Sequence, residues 1–136
     1  DMLSGCVCCT LLGQLGPTVA RIQKDLDPDL IILEATGVAE PQSMAEALQH
    51  GAGCESRIAT LVDAARWQRI RVPLALLLQR QISPAQVICI SKIDLVSEAD
   101  VACVENDIRQ LNSAAPIVRI CAENELSNAD AQLILG

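Results

Sequence analysis

Four short runs of apolar residues stand out in the hydrophobic pattern of the chain. They cover Leu30–Leu33, Ile58–Val62, Val87–Ile90 and Ile117–Ile120. The runs are continuous rather than alternating, which is typical of strands in a parallel sheet that is covered on both faces. We therefore predict a strand at each of the four runs.

Helical spacing of apolar residues fills the segments between these runs. The predicted helices cover residues 14–26 (opened by Gly16-Pro17), residues 41–51 (opened by Pro41), residues 64–83 (broken at Pro73), and two segments opened by the capping pairs Ser97/Asp100 and Ser127/Asp130. Strands that alternate with helices predict an α/β fold with a doubly wound, mostly parallel sheet and flanking helices. With 136 residues the chain forms one domain at most.

The composition of the chain limits the type of protein, the partners and the compartment that we expect. The chain is 51% hydrophobic and 20% charged, as in globular rather than disordered proteins. Its net charge of −7 argues against a nucleic-acid or anionic-membrane partner. No apolar run approaches the roughly 20 residues that span a bilayer. The cysteine count is odd at 7, which differs from a secreted disulfide framework and favours a reducing cytoplasm.

Three of these cysteines crowd together in Gly5-Cys6-Val7-Cys8-Cys9-Thr10. We expect this segment to be a surface loop in which a turn at Gly5 gathers the thiols on one ion. Thiolates suit Zn²⁺, Cu⁺ and, less selectively, Co²⁺ or Ni²⁺, and three of them leave a fourth tetrahedral position open. An open position favours a carrier that passes its metal on. A redox role and no role at all are the alternatives.

The segment Glu34-Ala35-Thr36-Gly37 directly follows the first apolar run. It has the spacing of the Asp-x-x-Gly switch element of nucleotide hydrolases, with Glu in place of Asp. Glu34 is then a candidate ligand of Mg²⁺, and the Gly37 N–H a candidate donor to a γ-phosphate. The alternative is an acid that caps a strand-to-helix turn.

The tetrapeptide Ser91-Lys92-Ile93-Asp94 follows the third run. An Asp that follows a strand can accept the N1–H and N2–H₂ donors of guanine with its two oxygens, and Lys92 can lay its methylene stem over the base plane. Glu34 and Asp63 also follow predicted strands, so we expect them at the same edge of the sheet. An ordinary strand-end loop is the alternative for Ser91, Lys92 and Asp94.

Together these residues resemble the CobW family of P-loop GTPases, the cobalamin-synthesis and metallochaperone group related to the nickel-insertion GTPases of urease and hydrogenase. The matching stretches are residues 5–11, 32–41, 61–64, 81–85 and 90–96. The order and spacing of these stretches agree over roughly residues 1–120. In this family GTP binding and hydrolysis control the delivery of zinc, cobalt or another transition metal to a client protein.

The resemblance implies a role for each candidate site. It implies a metal site at Cys6, Cys8 and Cys9, a catalytic switch at Glu34 and Gly37, with Glu34 as a metal ligand, and guanine recognition at Ser91, Lys92 and Asp94. The cofactors that it implies are GTP and Mg²⁺, with Zn²⁺ or Co²⁺ as the metal.

The sequence departs from the family at the phosphate loop, Gly-x-x-x-x-Gly-Lys-Ser/Thr, whose lysine neutralises the β and γ phosphates. The lysines of this chain are Lys24, after Gln23, and Lys92, after Ser91, so neither is that lysine. We therefore expect residues 1–136 to be a partial GTPase-like domain, without the phosphate-loop unit and the C-terminal domain, and inactive as a GTPase by itself. Open sheet edges would allow self-association. A metal-binding module that does not hydrolyse GTP is the alternative function.

Overall fold

The computed structural model describes the backbone from residue 4 and the side chains from residue 12 to the C-terminal residue. The chain forms two compact units, Asp1–Ser56 and Arg57–Gly136.

The first unit is a pair of helices joined by an irregular segment. Helix α1 spans Ser4–Leu26 and helix α2 spans Pro41–Ala52. The two helices pack against each other, with Val19 of α1 and Leu48 of α2 buried. Helix α2 begins at a proline, as predicted, and ends at Gly53, which has a positive φ of 64°.

The prediction that Gly16-Pro17 opens the first helix is wrong, because α1 continues on the N-terminal side of these residues and contains Pro17. A proline inside a helix removes one backbone donor and crowds the carbonyl of residue i−4, at a cost of about 3 kcal/mol, but this cost does not exclude a helix. The residues before it, such as Leu12, Gln14 and Leu15, are strong helix formers.

The predicted strand Leu30–Leu33 is also wrong. Within the described part of the chain this segment has no strand partner, and Ile32 is 80% exposed. A strand needs a neighbouring backbone to accept its hydrogen bonds and a surface to cover its side chains. An apolar run supplies neither of these by itself.

The second unit contains a three-stranded parallel sheet. Its strands are β1 (Ala59–Asp63), β2 (Val87–Ser91) and β3 (Ile117–Arg119), in the order β1-β2-β3. Three of the four predicted strands are thus confirmed, with ends that differ by one residue. Every apolar side chain of the central strand β2 is buried, which accounts for its continuous apolar run.

Helices α3 (Trp67–Ile70), α4 (Ala75–Ile82), α5 (Glu98–Leu111) and α6 (Asn128–Leu135) flank this sheet. Both predicted capping signals are confirmed: the Asp100 N–H donates to Ser97 Oγ at 3.2 Å, and the Asp130 N–H donates to Ser127 Oγ at 3.1 Å. The predicted break at Pro73 falls in the turn between α3 and α4.

The helices cover both faces of the sheet. Parallel strands in the order β1-β2-β3 are normally joined by right-handed crossovers, which place the intervening helices α3, α4 and α5 on one face. Asn112, which follows α5, donates to the carbonyls of Ile82 and Ala85 at 3.0 Å each and ties that layer together. On the other face, Ile134 of α6 packs against Val87, Cys89 and Val118. The predicted α/β class is confirmed.

Candidate functional site

The strands β1 and β2 end side by side. Asp63 and Ser91 are partners in the parallel register, so the loops after the two strands leave from the same edge of the sheet. The Ser91 hydroxyl donates to the Val62 carbonyl at 3.2 Å, and the Ala64 N–H donates to the Ser91 carbonyl at 3.0 Å. These bonds link the two loops.

Lys92 turns the chain sharply after β2. Its backbone is in the left-handed region, with φ 59° and ψ 36°, and it precedes a short 3-10 helix, Ile93–Leu95. A non-glycine residue pays about 1–2 kcal/mol for this conformation. The Leu95 N–H closes the turn by donating to the Lys92 carbonyl at 3.1 Å. Asp94 lies within this turn and is exposed. The structure thus places Ser91 at the end of β2 and Lys92 and Asp94 in the turn that follows, at the carboxyl edge of the sheet, where ligands bind in folds of this class.

Lys92 is anchored at the far end of its side chain. Its Nζ donates to Asp63 Oδ2 at 2.7 Å, while the Arg66 N–H donates to Asp63 Oδ1 at 3.1 Å. Burial raises the pKa of Asp63, but the hydrogen bonds from Lys92 and Arg66 and the charges of these two residues outweigh burial. The net pKa of Asp63 therefore lies below its ordinary value, and its carboxylate is charged at neutral pH.

The sequence pattern predicts Asp63 at this edge of the sheet but does not identify it as a residue of the site. The usable signal was the combination of an acidic residue at the end of one parallel strand and a lysine at the end of the next, because such ends meet in register.

Glu34 and Gly37 lie in the first unit, between α1 and α2, and both are exposed. The prediction that Glu34 follows a strand of the sheet is wrong, because the apolar run before it forms no strand. The Ala39 N–H donates to the Thr36 carbonyl at 2.9 Å and closes a turn around Gly37. The N-cap of α2 is Glu40, so Glu34 is not the acid that caps this helix. A single exposed carboxylate fits Mg²⁺, which keeps most of its water ligands.

The side chains of Cys6, Cys8 and Cys9 lie outside the described residues. The backbone of this segment belongs to α1 rather than to the predicted loop, because the helix extends N-terminally to Ser4. Among residues 12–136, no group of three His, Cys, Asp or Glu side chains is placed to hold a metal ion. Four cysteines in that range, Cys54, Cys89, Cys103 and Cys121, are free thiols.

Comparison with known proteins decides the family. Residues 1–119 match the family model described as the nucleotide-binding domain of CobW/HypB/UreG proteins. The chain belongs to this family. The resemblance to CobW proteins is confirmed, and the three-stranded parallel sheet with its flanking helices is consistent with a P-loop GTPase-like α/β fold.

Two curated relatives agree with the CobW/HypB/UreG assignment. The chain is 28% identical to a protein named zinc-regulated GTPase metalloprotein activator 1, from Dictyostelium discoideum, over 88% of the chain and 31% of the relative. It is 24% identical to a protein named zinc chaperone CobW, from a Sinorhizobium species, over 100% of the chain and 45% of the relative. The chain therefore spans less than half the length of either relative. No solved structure matches it.

No helix in the described part of the chain combines the length and the apolar character needed to cross a membrane.

Proposed function

We propose that the chain is the nucleotide-binding part of a GTP-dependent metallochaperone that carries zinc, cobalt or a similar transition metal and delivers it to a client protein in a reducing cytoplasm. The family assignment and the names of both relatives support this proposal. The observation that carries it is the loop Ser91-Lys92-Ile93-Asp94, held at the carboxyl edge of the parallel sheet by a constrained backbone and an anchored lysine.

Lys92 and Asp94 would hold the guanine base. Asp94 offers two carboxylate oxygens to the N1–H and N2–H₂ donors of guanine, a charge-assisted pair of the stronger kind. Lys92 would lay its methylene stem on the base plane. Ser91 supports the loop, because its hydroxyl is bonded to the Val62 carbonyl.

Glu34 and Gly37 would face the phosphates. Glu34 would hold Mg²⁺, which when bound neutralises charge on the β and γ phosphates. The Gly37 N–H would donate a hydrogen bond to the γ-phosphate. GTP hydrolysis belongs to the complete protein in this proposal, because the 136 residues contain no Gly-x-x-x-x-Gly-Lys-Ser/Thr loop.

Cys6, Cys8 and Cys9 would carry the metal as cargo in a conformation of this segment other than the helical one, because positions 6, 8 and 9 of a helix do not share one face. Three thiolates hold a borderline ion such as Zn²⁺ firmly and leave one position for a thiolate or imidazole of the client. The three cysteines lie near the N-terminal end of α1, and Glu34 follows the C-terminal end of the same helix, so a change of nucleotide at Glu34 has a short route along the chain to the thiols.

A second candidate function is a metal-binding module that buffers or delivers zinc without hydrolysis. The absence of a phosphate loop from these 136 residues favours it for the chain as it stands. Steady-state GTP hydrolysis by the complete protein, including any sequence that flanks these residues, separates the two functions.

The base-recognition part is tested by Asp94→Asn in the complete protein. A charge-assisted hydrogen bond contributes about 1.5–3 kcal/mol, so we expect GDP to bind roughly 10–100-fold more weakly. Because xanthine has a carbonyl in place of the guanine amino group, the amide that this substitution introduces should improve binding of XDP. Glu123→Gln, which removes an exposed carboxylate from the same unit, is the control. Unchanged preference for GDP over XDP in Asp94→Asn would refute base recognition by this loop.

The metal part is tested by Co²⁺ titration of the reduced protein. Three thiolates on cobalt give a strong charge-transfer band, and Cys8→Ser should weaken it. Cys103→Ser is the matched control, because Cys103 is a free thiol of the second unit that accepts a hydrogen bond from Gln68 at 3.5 Å. Equal bands in Cys8→Ser and Cys103→Ser would exclude the Cys-x-Cys-Cys motif as the site.

A further inference from the structure

We propose that Asp63 is a positioning residue of the nucleotide site, which fixes the side chain of Lys92 so that its stem is ready to receive a purine base. The inference rests on the proposed function, in which Lys92 and Asp94 hold the base. It assigns a role to a carboxylate that no motif of the loop contains.

The ends of β1 and β2 place Asp63 close to Lys92. Asp63 and Ser91 are register partners on neighbouring parallel strands, and Lys92 is the next residue along the chain. Lys92 Nζ reaches back across the gap between the two strands to Asp63 Oδ2, at 2.7 Å. The methylene stem of Lys92 therefore spans from the end of β2 to the end of β1.

Lys92 is held both at its backbone and at its ammonium group. Its backbone has a positive φ and is closed by the Leu95 N–H, and its ammonium group is bonded to Asp63. A free lysine side chain has about 2 kcal/mol of rotamer entropy to lose when it orders. Because Asp63 already restricts the stem in this structure, a base that stacks on it has less entropy to offset.

The carboxylate of Asp63 is itself held in place by hydrogen bonds from its neighbours. The Arg66 N–H donates to Asp63 Oδ1 at 3.1 Å, and the Ala64 N–H donates to the Ser91 carbonyl at 3.0 Å. Arg66 Nε lies 3.6 Å from Asp63 Oδ2, but the Arg66 side chain is mostly exposed and makes the weaker contact. Asp63 is half-buried, whereas its lysine partner is more exposed, so the carboxylate is the steadier member of the pair.

The two carboxylates at this edge then have different tasks. Asp94 would read the edge of the base and determine which purine binds. Asp63 would act through Lys92 on the face of the base, which guanine and xanthine present alike. Loss of Asp63 should therefore weaken the binding of all purine nucleotides by the same factor. Loss of Asp94 should change the order of their affinities.

The test is binding of GDP and XDP to the complete protein carrying Asp63→Asn. Asparagine keeps an acceptor for the Arg66 N–H but loses the charge that holds Lys92. We expect affinity for both nucleotides to fall by about 3–10-fold with an unchanged ratio, since partly exposed ion pairs contribute modestly. In a Lys92→Met background, Asp63→Asn should have no further effect.

Glu105→Gln is the matched control, because it breaks a half-exposed ion pair with Arg119 elsewhere in the same unit. It should leave both affinities unchanged. If Asp63→Asn fails to fold, Asp63→Ser serves instead, since a serine hydroxyl also accepts a turn N–H without charge.

The inference is overturned if the Asp63 variant binds like the wild type, if its effect persists in the Lys92→Met background, or if it changes the ratio of GDP to XDP affinity. Failure of the proposed function looks different, because Asp94→Asn would then leave the preference for GDP unchanged.

Discussion

Gly16 of α1 and Gly51 of α2 bring two helix backbones into direct contact. A Cβ atom at Gly16 would lie 2.5 Å from the Gly51 Cα and 2.8 Å from the Ala47 carbonyl oxygen. The obstructing atoms are backbone, so they cannot rotate away. Neither glycine has a positive φ. Glycine therefore occupies both positions because a side chain would not fit there, and not because the backbone conformation requires it.

Replacing Gly16 by alanine should destabilise the helix pair. Alanine in a helix normally gains about 0.5–1 kcal/mol over glycine, but here its Cβ must push two backbones apart, and overpacking of this kind costs about 1–3 kcal/mol. Gly13→Ala on the same helix is the control, because no described atom lies within 4 Å of its Cβ position. Urea unfolding should show a loss of stability for Gly16→Ala and a small gain for Gly13→Ala. Equal effects would contradict the close packing of α1 on α2.

The buried indole N–H of Trp67 has Asp107 as its hydrogen-bond acceptor. Trp67 is the single tryptophan of the chain, it is 1% exposed, and its Nε1–H donates to Asp107 Oδ2 at 2.8 Å. Asp107→Ala should lower the free energy of unfolding by about 1–3 kcal/mol, because it leaves the indole N–H buried without a partner. Asp107→Asn retains an acceptor and should cost less. Tryptophan fluorescence during urea unfolding measures both, and equal losses for the two variants would show that the hydrogen bond contributes little.

Glu105 makes stability depend on pH. The hydrogen bonds from Arg119 hold the pKa of Glu105 below its ordinary value, against an opposing effect of burial. Because the folded-state pKa is depressed, this contribution is present above the unfolded pKa of about 4.3 and is lost as pH falls through the folded pKa. The pair is partly exposed, so we expect a contribution of about 0.2–1 kcal/mol.

The corresponding measurement is unfolding free energy between pH 3 and pH 7 for the wild type and Glu105→Gln. The two curves should differ at pH 7 and converge at the acid end. A constant difference over the whole range would mean that the ion pair with Arg119 is not its cause.

The sequence was informative where a local signal coincides with the tertiary structure. Ser97 with Asp100, and the continuous run at Val87–Ile90, predicted a helix start and a central strand, because capping and burial are encoded in a few neighbouring residues. The run at Leu30–Leu33 failed because strand formation depends on a partner outside the run. Asp63 was missed as a site residue because its role depends on strand register, which brings two distant loops together.

The central claim is that a guanine nucleotide controls the metal affinity of the thiol segment. Its most direct test is equilibrium Zn²⁺ binding by the complete, reduced protein without nucleotide, with Mg²⁺–GDP and with a non-hydrolysable GTP analogue with Mg²⁺. We predict that the GTP analogue changes the Zn²⁺ affinity at least several-fold relative to the nucleotide-free protein. Zn²⁺ affinity that is the same in all three states, or no Zn²⁺ binding at all, would contradict the account.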